Sequence, residues 1–171
     1  MDIGLLILRV IVGALFVAHG TQKLFGWFGG YGLQGTGGFL SSLGYRGGTK
    51  AAALAGFTEA AAGVLLIIGL LTPFAAMGII GVMVNAIVSV HASKGPWVTE
   101  GGYEFVLVLA TVAAALAFIG PGDVSLDAAF GWDLAGVEWG ILATGVGIIA
   151  GLLMAATRVP AARDESERRA A

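Results

Sequence analysis

The residues best able to do chemistry in this sequence are a few ionisable and amide side chains that interrupt long apolar runs. Seven of them fall within or beside those runs: Arg9, His19, Lys23, Glu59, Asn85, His91 and Glu104. A charge at bilayer depth costs several kcal/mol, so such residues normally face a partner or a wet cavity. The sequence therefore predicts a polar cluster inside a membrane bundle, where Glu or His side chains can exchange protons with a bound molecule.

The first apolar run carries its polar residues on one helical face. His19 and Lys23 are four residues apart and share a face, and Arg9 nearly aligns with Lys23 because 14 residues make about four turns. Gly13 and Gly20 lie close to this stripe, which allows another backbone to approach. We therefore expect a tightly packed polar face, with Arg9 in the outer half of the membrane and the other two in the inner half.

Glu59 is the acid that lies deepest in an apolar run. It stands nine residues after Lys50, which is about 13 Å along a helix. We expect Glu59 to be paired inside the bundle, with Arg9, Lys23 or a histidine as its partner. The remaining members of the predicted cluster share its inner half: Asn85, His91 and Glu104.

Each of these residues also has a simpler interpretation. Lys23 can snorkel to the membrane interface, and Glu104 can be an interfacial acid that favours a helix N-terminus. His19 and His91 can be structural histidines with satisfied hydrogen bonds. Two histidines without a spacing motif indicate haem only weakly, or a metal only weakly even with Glu59, so we predict no metal site.

Composition places these residues in a membrane protein. Of 171 residues, 57% are hydrophobic and only 12% are charged, with a mean hydropathy of +0.91. Such values exclude a disordered chain and disfavour a water-soluble one. The net charge of -2 excludes a basic field for nucleic acid. Because the chain has no cysteine, it lacks thiolates and Cys-ligated clusters. In any redox role, a bound molecule or another protein must therefore carry the electrons.

Five apolar stretches are long enough to be spanning helices, at about 20 residues each. We expect an all-α, polytopic membrane bundle with spans at residues 3–24, 51–71, 73–92, 102–119 and 136–157. Thr72 as N-cap and Pro73 at the first helical position divide a double-length apolar stretch into a tight hairpin. A charged tail follows at residues 163–169.

Basic residues set the predicted orientation. Eight of the nine Lys and Arg residues lie on one side of the five spans, which predicts an outside N-terminus and a cytoplasmic C-terminus. Aromatic belts agree, with an outer set at Trp132 and Trp139 and an inner set at Trp27, Tyr31, Tyr45, Trp97 and Tyr103. The connection over residues 26–49 is apolar for a loop, and a short interfacial helix around Phe39 would make it either a lid or a mouth for a quinone.

Several motifs resemble the DoxX family of bacterial inner-membrane proteins. They are HGTQKLFGWFGG from His19 to Gly30, the deep acid within residues 58–63, GLLTP at residues 69–73, GYE at residues 102–104, and the stretch that ends at Asp127. The resemblance implies a four-helix membrane domain at residues 1–132. Residues 133–158 would then be an additional transmembrane helix and residues 159–171 a cytoplasmic tail.

The resemblance also implies a functional context. The family includes proteins similar to a subunit of a thiosulfate:quinone oxidoreductase, and a relative described as an organiser of superoxide dismutase and a sulfurtransferase in oxidative-stress defence. Matching motif positions carry over His19, Gly20, Lys23, Glu59 and Glu104, with Arg9 and Asp127 less firmly. No established catalytic mechanism comes with them.

Three functions stay open at this point. The protein can be the membrane subunit of an oxidoreductase complex that binds quinone near His19 and Glu59, a scaffold that docks soluble redox enzymes, or a small-molecule or proton transporter. We expect the first, with no independent catalysis. Partners would be the lipid bilayer, soluble redox enzymes or other oxidoreductase subunits, and possible further copies of the chain, but not nucleic acid.

Overall fold

Seven α-helices make up most of residues 2–159, which is the part of the chain that the computed structural model describes, and no strand occurs in that part. They are α1 Asp2–Phe25, α2 Gly32–Ser42, α3 Gly48–Ile68, α4 Thr72–Ala86, α5 Glu104–Ile119, α6 Leu126–Ala129 and α7 Val137–Ala156. The predicted all-α membrane bundle is confirmed. The predicted tail lies outside the described residues.

Four helices are long and apolar enough to cross a membrane. They are α1, α3, α7 and α4, the last counted through its irregular continuation to Lys94. The α5 helix has only 16 residues and spans about 24 Å, so it is shorter than the sequence predicts. Gly120 ends it with a positive φ of 86°.

Hydrogen bonds between distant segments show which loops and termini lie together at each of the two ends of the bundle. At the Asp2 end, the Asp127 N–H donates to the Gly69 carbonyl, and the Asp123 N–H donates to the Asp2 carboxylate. At the Lys94 end, the Val159 N–H donates to the Gly44 carbonyl at 2.9 Å. Helices α1, α3, α4, α5 and α7 therefore each run between the two ends, and α2 lies at the Lys94 end.

Helices α1, α2 and α3 form one packed group, and helices α4, α5 and α7 form the other. Glycines let the backbones approach in both groups: a Cβ on Gly13 would lie 2.6 Å from the Gly63 carbonyl oxygen, and one on Gly151 would lie 2.5 Å from the Gly81 carbonyl oxygen. The predicted glycine contact of the first helix is confirmed. These contacts fix the register in which α1 presents its polar face to α3.

A tight turn joins the two groups between α3 and α4. Gly69 ends α3 in the left-handed region with φ of 63°, and Leu71 is the N-cap of α4 with φ of 51°. The predicted hairpin is confirmed, but its predicted N-cap is wrong because Thr72 is already helical. Asp127 from the distant α6 accepts hydrogen bonds from the first N–H groups of α4 and does what a local cap would do.

Candidate functional site

A cavity of about 960 Å³ lies between the two helix groups. It extends along α4 and its irregular continuation from Phe74 to His91, and α2 covers part of it with Thr36, Phe39 and Leu40. Its ionisable and amide lining residues are concentrated towards the Lys94 end: His19, Lys23, Tyr45, Glu59, Asn85 and His91. The rest of the lining is mainly apolar, so the cavity is polar at one end and apolar at the other.

The Lys23–Glu59 ion pair is the most buried charged group of the cavity. Lys23 Nζ lies 2.5 Å from Glu59 Oε2, which joins the end of α1 to the middle of α3. The side chain of Glu59 is 3% exposed and that of Lys23 is 27% exposed, so the carboxylate is enclosed while the ammonium group is still accessible. The predicted pairing of Glu59 within the bundle is confirmed, with Lys23 as the partner.

His19 lies one turn before Lys23 and also faces the cavity. Its ring is close enough to Glu59 for the two charges to interact, and the residue is exposed. It forms no hydrogen bond with any residue of the described range 2–159. The imidazole is therefore available to a molecule in the cavity.

A Tyr45–Asn85 hydrogen bond forms the opposite wall. The Tyr45 hydroxyl donates to Asn85 Oδ1 at 2.6 Å, which links the loop between α2 and α3 to the end of α4. Tyr45 is only 3% exposed, so its predicted place in an interfacial aromatic belt is wrong. Its hydroxyl needs a partner when buried, and Asn85 provides one. This leaves the Asn85 amide nitrogen free to donate into the cavity.

The helix that carries Asn85 loses its regular geometry immediately afterwards. Residues Ile87–His91 form a π-helical turn, which is rare and frequently found at functional sites. Ser89, inside this turn, donates to the Asn85 carbonyl, and its own carbonyl accepts from Arg158 Nη1 at 3.2 Å. The wall that holds Asn85 is therefore connected to the end of α7.

His91 and Glu104 stabilise a loop at the rim of the cavity. His91 Nδ1 lies 2.7 Å from the Gly101 carbonyl oxygen, and Glu104 Oε1 accepts from the Val98 N–H at 2.7 Å. Both hold the connection between α4 and α5. His91 lines the cavity with its Nδ1 engaged in the loop, and Glu104 is not among the lining residues.

Arg9 does not join this cluster. It lies at the Asp2 end, is 1% exposed, and donates from Nη2 to the Val124 carbonyl at 2.5 Å. Asp127 is the acid that compensates its charge, and Asp127 is itself fully buried with hydrogen bonds from the Leu71 N–H and the Thr72 hydroxyl. None of these residues lines the cavity, so the buried Arg9 and Asp127, called the closed site below, lie apart from it.

Comparison with known proteins places this architecture in a family. The DoxX family model matches residues 4–92, just over half of the chain. This chain belongs to the DoxX family. A relative from Bacillus subtilis (strain 168), named "Putative oxidoreductase CatD", is 30% identical over 115 residues, which cover 67% of this chain and 79% of the relative. No solved structure matches the chain.

The DoxX match covers almost all of α1 to α4 and therefore the six residues His19, Lys23, Tyr45, Glu59, Asn85 and His91 of the cavity lining. Helices α5 and α7 lie beyond the matched region and complete the apolar wall through residues such as Leu109 and Val146. The predicted domain boundary at residue 132 stays a prediction. No group of three or more His, Asp or Glu residues within the described range 2–159 is arranged to hold a metal ion.

Proposed function

We propose that this DoxX-family protein is the membrane component of an oxidoreductase system and binds a quinone in the cavity between its two helix groups. The observation that supports the proposal best is the position of the Lys23–Glu59 pair at the polar end of an otherwise apolar cavity of about 960 Å³. A quinone has the same division into a ring with two carbonyl oxygens and an apolar isoprenoid tail.

The size and opening of the cavity suit such a ligand. Small-molecule sites usually measure about 300–1,000 Å³ and are mainly apolar with a few convergent polar groups. Leu54, Phe74 and Leu153 line the cavity and are also exposed on the side of the bundle. A lipid-soluble molecule can therefore enter from the bilayer without crossing the polar ends of the protein.

The polar groups can hold the quinone ring by its two carbonyl oxygens. The Asn85 amide nitrogen lies on the α4 wall and can donate to one oxygen, while the His19 ring lies on the α1 wall and can donate to the other. Glu59 stands behind His19 and can accept a proton when the quinol is oxidised. A bound quinone supplies two-electron chemistry, and these residues orient the ring and move its protons.

Electrons must pass between the quinone and a partner protein. The chain has no cysteine, and no flavin or haem fingerprint is evident in its sequence. A redox subunit that carries its own cofactor would exchange the two electrons with the quinone, while this protein supplies the membrane site. The name of the Bacillus relative supports an oxidoreductase context.

Quinone retention tests this proposal. Wild-type protein purified in mild detergent should retain lipid-soluble quinone, measured by extraction and chromatography. Glu59→Gln should lower the retained amount about tenfold, because it removes a charged hydrogen bond to Lys23, worth about 1.5 kcal/mol or more, that orders the polar end of the cavity. Glu138→Gln is the matched control because this acid lies at the exposed start of α7. Equal retention by all three proteins would contradict the quinone site.

The same preparation distinguishes the other functions. A soluble redox enzyme that co-purifies with protein lacking quinone would favour a scaffold, and Glu59-dependent flux into liposomes would favour a transporter. The closed site at the Asp2 end argues against a continuous pore, because Arg9, Thr72 and Asp127 are buried there and none lines the cavity. We place the protein in the bacterial plasma membrane with the Lys94 end cytoplasmic, on the distribution of its basic residues.

A further inference from the structure

A second cavity of about 560 Å³ adjoins the first one at the Lys94 end. It lies among the end of α1, the turn after it and helix α2. Gly29, Gly30 and Gly35 form much of its wall, and Tyr31 at its edge is 85% exposed. We call this space the vestibule. Because its glycine walls carry no side chains and its edge is exposed, water can enter it from the Lys94 end.

Lys23 is the ionisable residue that lines both the vestibule and the main cavity, and Thr36 and Phe39 are shared as well. Glu59 lines the main cavity but not the vestibule. Lys23 Nζ is 2.5 Å from the Glu59 carboxylate, and Glu59 accepts no hydrogen bond from any other residue in the described part of the chain. Within the described part of the chain, Lys23 is therefore the ionisable residue that both lines the vestibule and contacts the Glu59 carboxylate.

We propose that Lys23 relays protons between the vestibule and Glu59, so that the main cavity exchanges protons with one side of the membrane only. In the relay, an N–H bond of the Lys23 ammonium breaks, an O–H bond forms on Glu59 Oε2, and the nitrogen keeps the electron pair. A hydronium ion in the vestibule then returns a proton to the nitrogen and leaves water. No electron is transferred, and the reverse sequence carries a proton out.

The opposite end of the bundle supports the one-sided exchange. Thr72 and Asp127 are fully buried there, and the carboxylate of Asp127 is engaged by two backbone N–H groups and one hydroxyl. Arg9 can donate protons in hydrogen bonds but does not release them. The inference rests on the proposed function only for the use of the proton, since access to Glu59 exists whether or not the ligand is a quinone.

Lysine and arginine differ in the property that the relay needs. Lys23→Arg keeps the positive charge opposite Glu59, but a guanidinium does not deprotonate in proteins, so it preserves the ion pair and blocks the relay. A residue that only holds α1 against α3 would tolerate this change. The comparison of Lys23→Arg with wild type therefore separates a relay from a structural ion pair.

Hydrogen–deuterium exchange at the Glu59 carboxyl group measures the relay directly. Full-length protein in nanodiscs is shifted from H₂O to D₂O buffer at a pH at which the carboxylic C=O stretch assigned with Glu59→Gln is visible, and the isotope shift of that band is followed in time by infrared spectroscopy. Lys23→Arg should slow the shift at least about tenfold while thermal stability stays near the wild-type value. An unchanged rate in a folded Lys23→Arg protein would overturn the relay.

Cysteine accessibility tests the side from which the vestibule is reached. Because the chain has no cysteine, only the introduced thiol can react. In proteoliposomes, Thr36→Cys should react with a small, charged, membrane-impermeant thiol reagent from the same side as Ser93→Cys at the Lys94 end, and not from the side of Asp133→Cys, whose position follows α6. Thr144→Cys, which lines neither cavity, should not react.

The outcomes of these tests separate the two proposals. Reaction of Thr36→Cys from the Asp133 side, or no reaction, would overturn the vestibule as the route even if quinone is retained. Absence of quinone together with Lys94-side access and slow exchange in Lys23→Arg would remove the proposed function and keep the relay.

Discussion

The bundle holds two ionic sites that resemble each other in composition and differ in construction. At the Asp2 end, Arg9 is 1% exposed and Asp127 is 0% exposed, and backbone groups of Val124 and Leu71 form hydrogen bonds with them. At the Lys94 end, Glu59 is equally enclosed, but its partner Lys23 is 27% exposed and borders two cavities. The first arrangement lines neither of the two cavities, whereas the second places a charged pair on a cavity wall. Burial of charge alone therefore does not identify a functional site in this protein.

The largest effect should follow from loss of the Asp127 carboxylate. Asp127→Ala leaves the Arg9 charge uncompensated and removes the acceptor for the first N–H groups of α4, so we expect a loss of about 4 kcal/mol in the free energy of unfolding. Denaturant titration in detergent micelles measures it. Asp133→Ala, at an exposed position, should cost little, and a similar loss in both variants would contradict the structural role of the closed site.

A smaller loss should follow when the contact between α1 and α3 is widened. Gly63→Ala places a Cβ 2.6 Å from the Gly13 carbonyl oxygen and 2.8 Å from the Val17 nitrogen, which should cost about 2 kcal/mol and also weaken quinone retention, because the same contact aligns the polar face of α1. Gly145→Ala is the matched helical control, with no atom within 4 Å of its Cβ. If both variants retain full stability, the close approach is not what sets the register.

The Lys23–Glu59 pair should contribute less to stability than the closed site does. A double-mutant cycle with Lys23→Met and Glu59→Gln should give a coupling energy of about 1.5 kcal/mol, since partial exposure of Lys23 reduces the attraction. Thermal and chemical unfolding of the four proteins supply the values. The same cycle on Lys50 and Glu138, which are distant in the fold, should give no coupling. A coupling energy larger than the loss of stability in Asp127→Ala would contradict the expectation that the closed site contributes more to stability.

The smallest effect is expected for the opposite wall. Tyr45→Phe removes one buried hydroxyl and should cost about 1 kcal/mol, measured by unfolding, because Asn85 loses one hydrogen bond but can turn towards the cavity. Tyr31→Phe is the control, since Tyr31 is 85% exposed and should be neutral. Equal stability of the two variants would show that the Tyr45 hydroxyl is not needed to hold the wall.

The sequence predicts well whatever depends on local pattern. Apolar runs give the spanning helices to within a few residues, and the glycines beside the polar stripe of α1 do meet α3. Spacing along one helix also places His19 and Lys23 on a common face, and depth along the chain places Glu59 at the same level. Those positions predict that Glu59 is paired with Arg9, Lys23 or a histidine, and the structure shows that Lys23 is the partner.

Contacts between distant loops and helices could not be predicted in the same way. Tyr45 reaches Asn85 across 40 residues, and Asp127 caps α4 from 55 residues away. Neither residue stands at a periodic position that identifies its partner. Tyrosine is a residue type that is common at membrane interfaces, and Tyr45 is buried only because the α2–α3 loop packs against α4.

The backbone hydrogen bond from Val159 to Gly44 connects the segment after α7 to the loop beside the cavity. A single backbone bridge ties Arg158 to Tyr45, and the guanidinium of Arg158 holds the carbonyl of Ser89. Arg158 therefore supports both partners of the Tyr45–Asn85 wall, so a shift at the end of α7 would move this side of the binding space.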